Sequence, residues 1–272
     1  MTELPAYSLG YDDEAPPVPS AWPQAVSREW AWGDSAGEGV SVCLVDSGVR
    51  GDHPLVGGID RAVTVTLDDD GEPHVRDDEI GDVSGHGTAC AGIVRAIAPA
   101  ARITSVRVLD ADLSGGGTQL LAGLGWALGQ GYEVVNLSLS TTRRAVAQTL
   151  HELADSAYFA RTLLVACANN RMVDSYPWKF SSVVSVASHA GADPLEFFYN
   201  PDPPVEFLAR GVDVDVAWPS GGTMRATGNS FAAPHIAAIC ALILAKHPEL
   251  TPFQVKGVLF ETASNVVRET TA

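Results

Sequence analysis

Four polar residues stand where this sequence could do chemistry: Asp46, His86, Asn169 and Ser230. Asp46 ends the apolar, β-branched run Val40-Ser41-Val42-Cys43-Leu44-Val45, which reads as a buried strand. Asn169 follows a second such run, Leu163-Leu164-Val165-Ala166-Cys167-Ala168. His86 lies between Gly85 and Gly87 at a helix start signalled by Ser84 or Gly85, with small neighbours that leave room around its ring. Ser230 closes the turn-prone trio Gly228-Asn229-Ser230. The run after it, through Leu244, is apolar on every side, as a buried helix is. Pro234 is expected in the first turn of that helix, where a missing N–H costs nothing. A serine hydroxyl is a weak nucleophile near neutral pH and needs a base. A histidine can take its proton, a carboxylate can fix that histidine's tautomer, and an amide can stabilise an oxyanion. All four parts are present, in the order Asp, His, Ser. Taken singly, each has a plainer use: Ser230 as an N-cap, Asp46 as a turn residue before Gly48, His86 as a capping or surface residue.

Further strands are expected over 102–109, 134–138 and 183–187. Helices are expected over 118–128, with Thr118 at the cap, and over 144–159, with Val146, Leu150, Leu153 and Ala157 at helical spacing. A last helix begins at Thr251-Pro252, where Gln254 completes a capping box. This alternation predicts an α/β fold of three layers: a mostly parallel central sheet with helices on both faces. Strand ends and helix starts then converge on one sheet edge. Residues 50–82 read as polar loops, with Asp68-Asp69-Asp70 a solvated acidic cluster rather than a calcium loop. Residues 190–227 read as irregular, with short strand signals at 205–208 and 212–217. Residues 1–18 are acidic and proline-rich, an arm or short pro-segment before a single domain over 19–272.

The chain has 272 residues, 46% of them hydrophobic, enough for a sizeable core, and a formal net charge of −16. That charge argues against a nucleic-acid partner, which needs a basic footprint, and points to basic or precursor-peptide substrates. No membrane span is expected, because the longest apolar run is broken by His235 and stops at Lys246-His247. Cys43, Cys90, Cys167 and Cys240 lie among small or apolar residues without metal-ligand spacing, so they read as buried free thiols. No metal and no cofactor is implied. Free thiols, with an N-terminus lacking basic and apolar leader regions, point to the cytoplasm. Nothing in the sequence speaks to the oligomeric state.

Three segments carry a resemblance to the subtilisin-like serine proteases, the peptidase S8 family. They are Val42-Cys43-Leu44-Val45-Asp46-Ser47-Gly48-Val49, Gly85-His86-Gly87-Thr88-Ala89-Cys90-Ala91-Gly92 and Gly228-Asn229-Ser230-Phe231-Ala232-Ala233-Pro234-His235. Val134 to Leu139 and Ala166 to Asn169 resemble the family's substrate-binding strand and oxyanion segment. The resemblance implies a serine endopeptidase acting on a peptide or protein through an acyl-enzyme. Ser230 would be the nucleophile, His86 the general acid–base and Asp46 its orienting carboxylate. Asn169 would donate to the oxyanion, together with the Ser230 N–H. It further implies that Gly115, Gly116 and Gly117 on one side, and Ser138, Leu139 and Ser140 on the other, flank the substrate, with Ala168 beside a primary pocket that Arg171 or Asp174 could bias by charge. The chain departs from the family at Asn229, Phe231 and Ala233, where relatives usually carry Thr, Met and Ser. The family's frequent calcium-binding insertion is expected to be absent, because Val94 to Pro99 runs directly on. The departures keep an alternative open, a catalytically impaired peptide-binding pseudoprotease, and an esterase using the same triad is a third reading.

Overall fold

The computed structural model of the protein describes residues 22–267; the arm expected over residues 1–18 lies outside them. A short helix α1 (Arg28–Ala31) leads to strand β1 (Ser41–Asp46), which is followed by a hairpin of β2 (Arg61–Leu67) and β3 (Pro73–Asp77). Helices and strands then alternate: α2 (His86–Ile97), β4 (Arg102–Arg107), α3 (Gly117–Gln130), β5 (Val134–Leu137), α4 (Ala147–Phe159), β6 (Leu163–Cys167) and β7 (Val184–His189). Strands β8 (Phe197–Tyr199), β9 (Phe207–Arg210), β10 (Val214–Trp218) and β11 (Gly222–Ala226) precede helices α5 (Asn229–Lys246) and α6 (Pro252–Thr262).

Nine strands form one sheet in the order β3-β2-β4-β1-β5-β6-β7-β9-β8. Its interior pairs are parallel, and only the edge pairs β2–β3 and β8–β9 are antiparallel. Strand β1 is wholly buried, and its period of two divides it between two cores. Val42 and Leu44 pack with α2 and α5; Cys43 and Val45 pack with α3 and α4. This is the three-layer α/β arrangement that the alternation predicts. The capping box on α6 is also present, with the Thr251 N–H donating to Gln254 Oε1 (2.9 Å) and the Gln254 N–H to Thr251 Oγ1 (3.3 Å).

Several expectations need correction. The 50–82 stretch is not all loop, because it contains β2 and β3. Strand β2 buries only its middle, and β3 is largely exposed, so neither shows the apolar run of an interior strand. Strands β8 and β11 were equally illegible, β8 being three residues long and β11 mostly exposed. Helix α3 begins at Gly117 with Gly116 at its N-cap, so Thr118 is not the cap.

Helix α5 is buried from Phe231 through Leu244 and runs beneath the sheet. By length and composition it could cross a membrane, yet most of it is enclosed by the rest of the chain. Pro234 does not lie in its first turn as expected, but inside the helix. There it removes the N–H that would bond the Ser230 carbonyl four residues earlier. Two side chains from other elements satisfy that carbonyl instead: Ser138 Oγ donates to it at 2.7 Å, and Cys90 Sγ at 3.6 Å. The next residue, His235, is buried with its Nδ1 2.8 Å from the Phe231 carbonyl. Burial pushes its pKa down to about 4.

Between pH 6.5 and about 4 the unfolded chain therefore binds a proton at His235 that the folded chain does not. Stability should fall as pH drops through this window, by up to ~1.4 kcal/mol per pH unit from this group. Urea denaturation at several pH values should give a shallower decline for His235→Asn than for the parent protein; equal slopes would show that His235 is not the group responsible.

Candidate active site

The carboxyl end of the parallel strands gathers the four residues. Asp46 is the last residue of β1 and is fully buried. His86 is the first residue of α2, and its Nδ1 lies 2.8 and 3.0 Å from Asp46 Oδ1 and Oδ2. The Ser47 N–H also donates to Asp46 Oδ1 (2.7 Å), so the buried carboxylate is held on both sides. An ionised acceptor fixes the ring as the Nδ1–H tautomer and leaves Nε2 as the atom able to take a proton. The flanking glycines make this approach possible. Gly85 adopts a left-handed φ of 97°, and a Cβ on Gly87 would stand 2.0 Å from the Gly48 carbonyl oxygen.

Asp82, which the sequence reading passed over, braces the same turn. Its carboxylate accepts from Ser47 Oγ (2.8 Å) and from the N–H groups of Ser84 (3.0 Å), Gly85 (2.8 Å) and Thr88 (2.8 Å), and from Thr88 Oγ1. These include donors that a helix N-terminus leaves without partners. Its sequence signal was a carboxylate four residues before the histidine. Burial disfavours protonated His86, but the charge and hydrogen bond of Asp46, helped by the charge of Asp82, outweigh it and raise the His86 pKa above 6.5.

Ser230 is the second residue of α5, so its N–H is one of the free donors at that helix start. Ser230 Oγ makes no hydrogen bond to His86 among the described residues; without substrate such contacts are often open. Asn169 follows β6, and its Nδ2 donates to Ser140 Oγ at 3.0 Å. The residues on either side of the serine have structural work. Asn229 joins three segments: its N–H donates to Asn170 Oδ1 (2.8 Å), its Nδ2 to the Asn169 carbonyl (3.3 Å), and its Oδ1 accepts from the Ser188 N–H (2.9 Å). The Phe231 ring lies 5.4 Å from the His86 ring and packs on Ala89, Ile93, Val214 and Val216.

A cavity of about 310 Å³ brings His86 and Ser230 together with Ser138, Leu139, Ser140, Ala168, Asn169 and Arg171. Gly115, Gly116 and Gly117, expected to flank the substrate, do not line it. The chain has already turned into α3 at Gly116, and Leu109 and Leu113 take that wall. Three larger cavities, of about 510 Å³ beside Phe159 and Phe253, about 490 Å³ beside Arg50 and Asp78 and about 450 Å³ beside Ile93 and Val216, hold none of the four residues. Asp46, His86 and Cys90 offer potential metal ligands within 4.8 Å of one another. Burial keeps the Cys90 thiol protonated and Asp46 is engaged by His86, so the group reads as a dyad with a packing thiol beneath it.

A three-layer α/β sheet with a buried Asp–His pair and a serine at a helix start describes a serine hydrolase. The family model of the subtilases, Peptidase S8, matches residues 37–272, and the chain belongs to that family. It is 30% identical over 248 residues to subtilisin DY from Bacillus licheniformis, covering 85% of each chain. It is 32% identical over 259 residues to minor extracellular protease Epr from Bacillus subtilis strain 168, covering 90% of this chain but only 37% of that protein. A solved cold-adapted subtilisin-like serine proteinase superposes with a TM-score of 0.67 at 26% identity, over 85% of this chain and 86% of that one.

A protonated imidazole cannot accept the serine proton, so reactivity at Ser230 should rise with pH through an inflection above 6.5. Asp46→Asn should move that inflection to lower pH and reduce the plateau by about 10⁴-fold, the scale set by the equivalent change in another serine protease. Rates of inactivation by a fluorophosphonate across pH check this; an inflection unmoved by Asp46→Asn would contradict it.

Proposed function

We propose that this subtilase is a serine endopeptidase in which Asp46, His86 and Ser230 act as the triad and Asn169 as an oxyanion donor. The observation that carries the reading is the Asp46–His86 pair at 2.8 Å, opening on one cavity with Ser230 and Asn169. In this reading Ser230 Oγ attacks the scissile carbonyl carbon while His86 Nε2 removes the hydroxyl proton. The resulting oxyanion takes donors from Asn169 Nδ2 and the Ser230 N–H. His86 then gives its proton to the leaving amine, and water repeats the sequence on the acyl-enzyme. Ser138 and Cys90 hold the Ser230 carbonyl, and with it the Ser230–Phe231 peptide group, in place. Substrates are peptides or proteins, including precursors trimmed at a defined position. The four cysteines are buried and free, which supports action in a reducing compartment such as the cytoplasm.

A fluorophosphonate probe should label the full-length protein once, and Ser230→Ala should abolish the label. Asn169→Ala should keep the fold and lower kcat by about 10²–10³-fold, the range measured for this donor in subtilisin itself. A folded protein that binds peptides but takes no label would instead make it a peptide-binding pseudoprotease.

A further inference from the structure

The charge of the cleft is not the charge of the molecule. Against a net −16, the cavity lining has a single permanently charged side chain, the exposed cation Arg171. Its guanidinium makes no ion pair among the described residues; only its backbone N–H is engaged, donating to Asn169 Oδ1 at 2.9 Å.

The rim around Arg171 is basic as well. Thr141 and Tyr176 exchange two backbone hydrogen bonds of 2.9 Å, which brings the chain after Ser140 against the loop after Arg171. Arg143 and Arg144 thereby stand beside the loop that carries Asp174 and Lys179. Asp174 on that loop is occupied: Lys179 bonds Oδ1, Arg144 lies 3.7 Å from Oδ2, and the Tyr176 hydroxyl donates to Oδ2 at 3.2 Å. Lys179 above all holds its carboxyl below the usual range, so it stays ionised and paired. Lys179 and Arg144 thus neutralise Asp174, and the Arg171 guanidinium is left without an ion pair among the described residues. The other end of the cavity differs: Leu109 and Leu113 line it, and the same loop carries Asp110 and Asp112.

We propose that Arg171 selects substrates with an Asp or Glu side chain in the subsite between Ser138–Ser140 and Ala168–Arg171. The proposal rests on the reading that this cavity is the substrate cleft, and it replaces the preference for basic residues that net charge alone suggested. Net charge acts at long range and is screened within roughly 8 Å at physiological salt, whereas a side chain bound in the subsite meets Arg171 at contact distance. Guanidinium also matches a carboxylate with paired donors, so Glu and Asp gain a geometric fit that Gln and Asn lack. Ser140 lines the same subsite, and its hydroxyl, which accepts from Asn169 Nδ2, keeps its own proton to offer an acidic residue. At the far end, Leu109 and Leu113 suit an apolar residue of the same peptide.

The test uses the full chain with Ser230→Ala and a fluorescent peptide series, amidated at the C-terminus so that a chain-end carboxylate cannot contribute. The peptides differ only by Glu, Gln or Lys at the residue preceding the bond expected to be cut. Anisotropy should show Glu bound about fivefold more tightly than Gln and more tightly still than Lys. Arg171→Gln should bring the Glu and Gln affinities within about twofold of each other, and Arg171→Glu should place Lys first. Equal binding of Glu and Gln by the protein with Arg171, or a ratio that Arg171→Gln leaves unchanged, would overturn the proposal. In parallel, the parent enzyme should cut a mixed peptide library after acidic residues. Cleavage without acidic preference would overturn the proposal and leave the endopeptidase reading standing. Glu-selective binding without any cleavage would do the reverse.

Discussion

The fully buried carboxylate of Asp46 is the constraint on which the rest of this structure depends. A carboxylate taken out of water is costly unless charge and hydrogen bonds compensate it. Here His86 Nδ1 and the Ser47 N–H do so, at 2.7–3.0 Å. That arrangement requires β1 to end beneath the start of α2, with backbone almost touching backbone at Gly48 and Gly87. It also requires the first turn of α2 to keep its shape, which Asp82 secures by collecting donors from Ser47, Ser84, Gly85 and Thr88. The interior position of β1, between β4 and β5, buries the pair, and burial makes its geometry matter.

The serine side follows the same logic with neutral groups. Pro234 breaks the hydrogen-bond ladder of α5 and exposes the Ser230 carbonyl inside the core. A buried unpaired carbonyl would be expensive, and Ser138, just past the end of β5, supplies the bond. The interruption thus ties the Ser230–Phe231 peptide group to the wall of the cavity. Asn229 adds a second tie, to Asn169 and Asn170 after β6 and to Ser188 of β7. Asn229 and Phe231 are therefore joints between helix α5, the His86 ring and the segment after β6.

The legible parts of the sequence were those with two-sided burial. Strands β1, β5, β6 and β7 announce themselves as apolar runs because the parallel sheet is covered on both faces, and the glycines around His86 mark a close approach. Strands β2 and β3 were lost among loops because an edge hairpin can be polar on most positions. The position of Pro234 was misjudged because local rules place proline at a helix start, while the partner that makes an interior proline tolerable lies about ninety residues away in Ser138. Asp82 was missed for a similar reason, since its five acceptor contacts form only after the turn has closed. The wall of the cleft was assigned to Gly115–Gly117 by resemblance, whereas the chain places Leu109 and Leu113 there. Charge was legible as a total of −16 but not as a distribution, because the basic rim is assembled by pairing Thr141 with Tyr176.

The central claim is that Ser230, His86 and Asn169 act on one reacting carbonyl. The most direct measurement is a crystal structure of the protein reacted with a peptide boronic acid. The account predicts boron bonded to Ser230 Oγ, with one boronate oxygen within hydrogen-bond reach of Asn169 Nδ2 and the Ser230 N–H, and His86 Nε2 facing another. A boronate seated away from Ser230, or bonded to it with Asn169 still turned only toward Ser140, would contradict that claim.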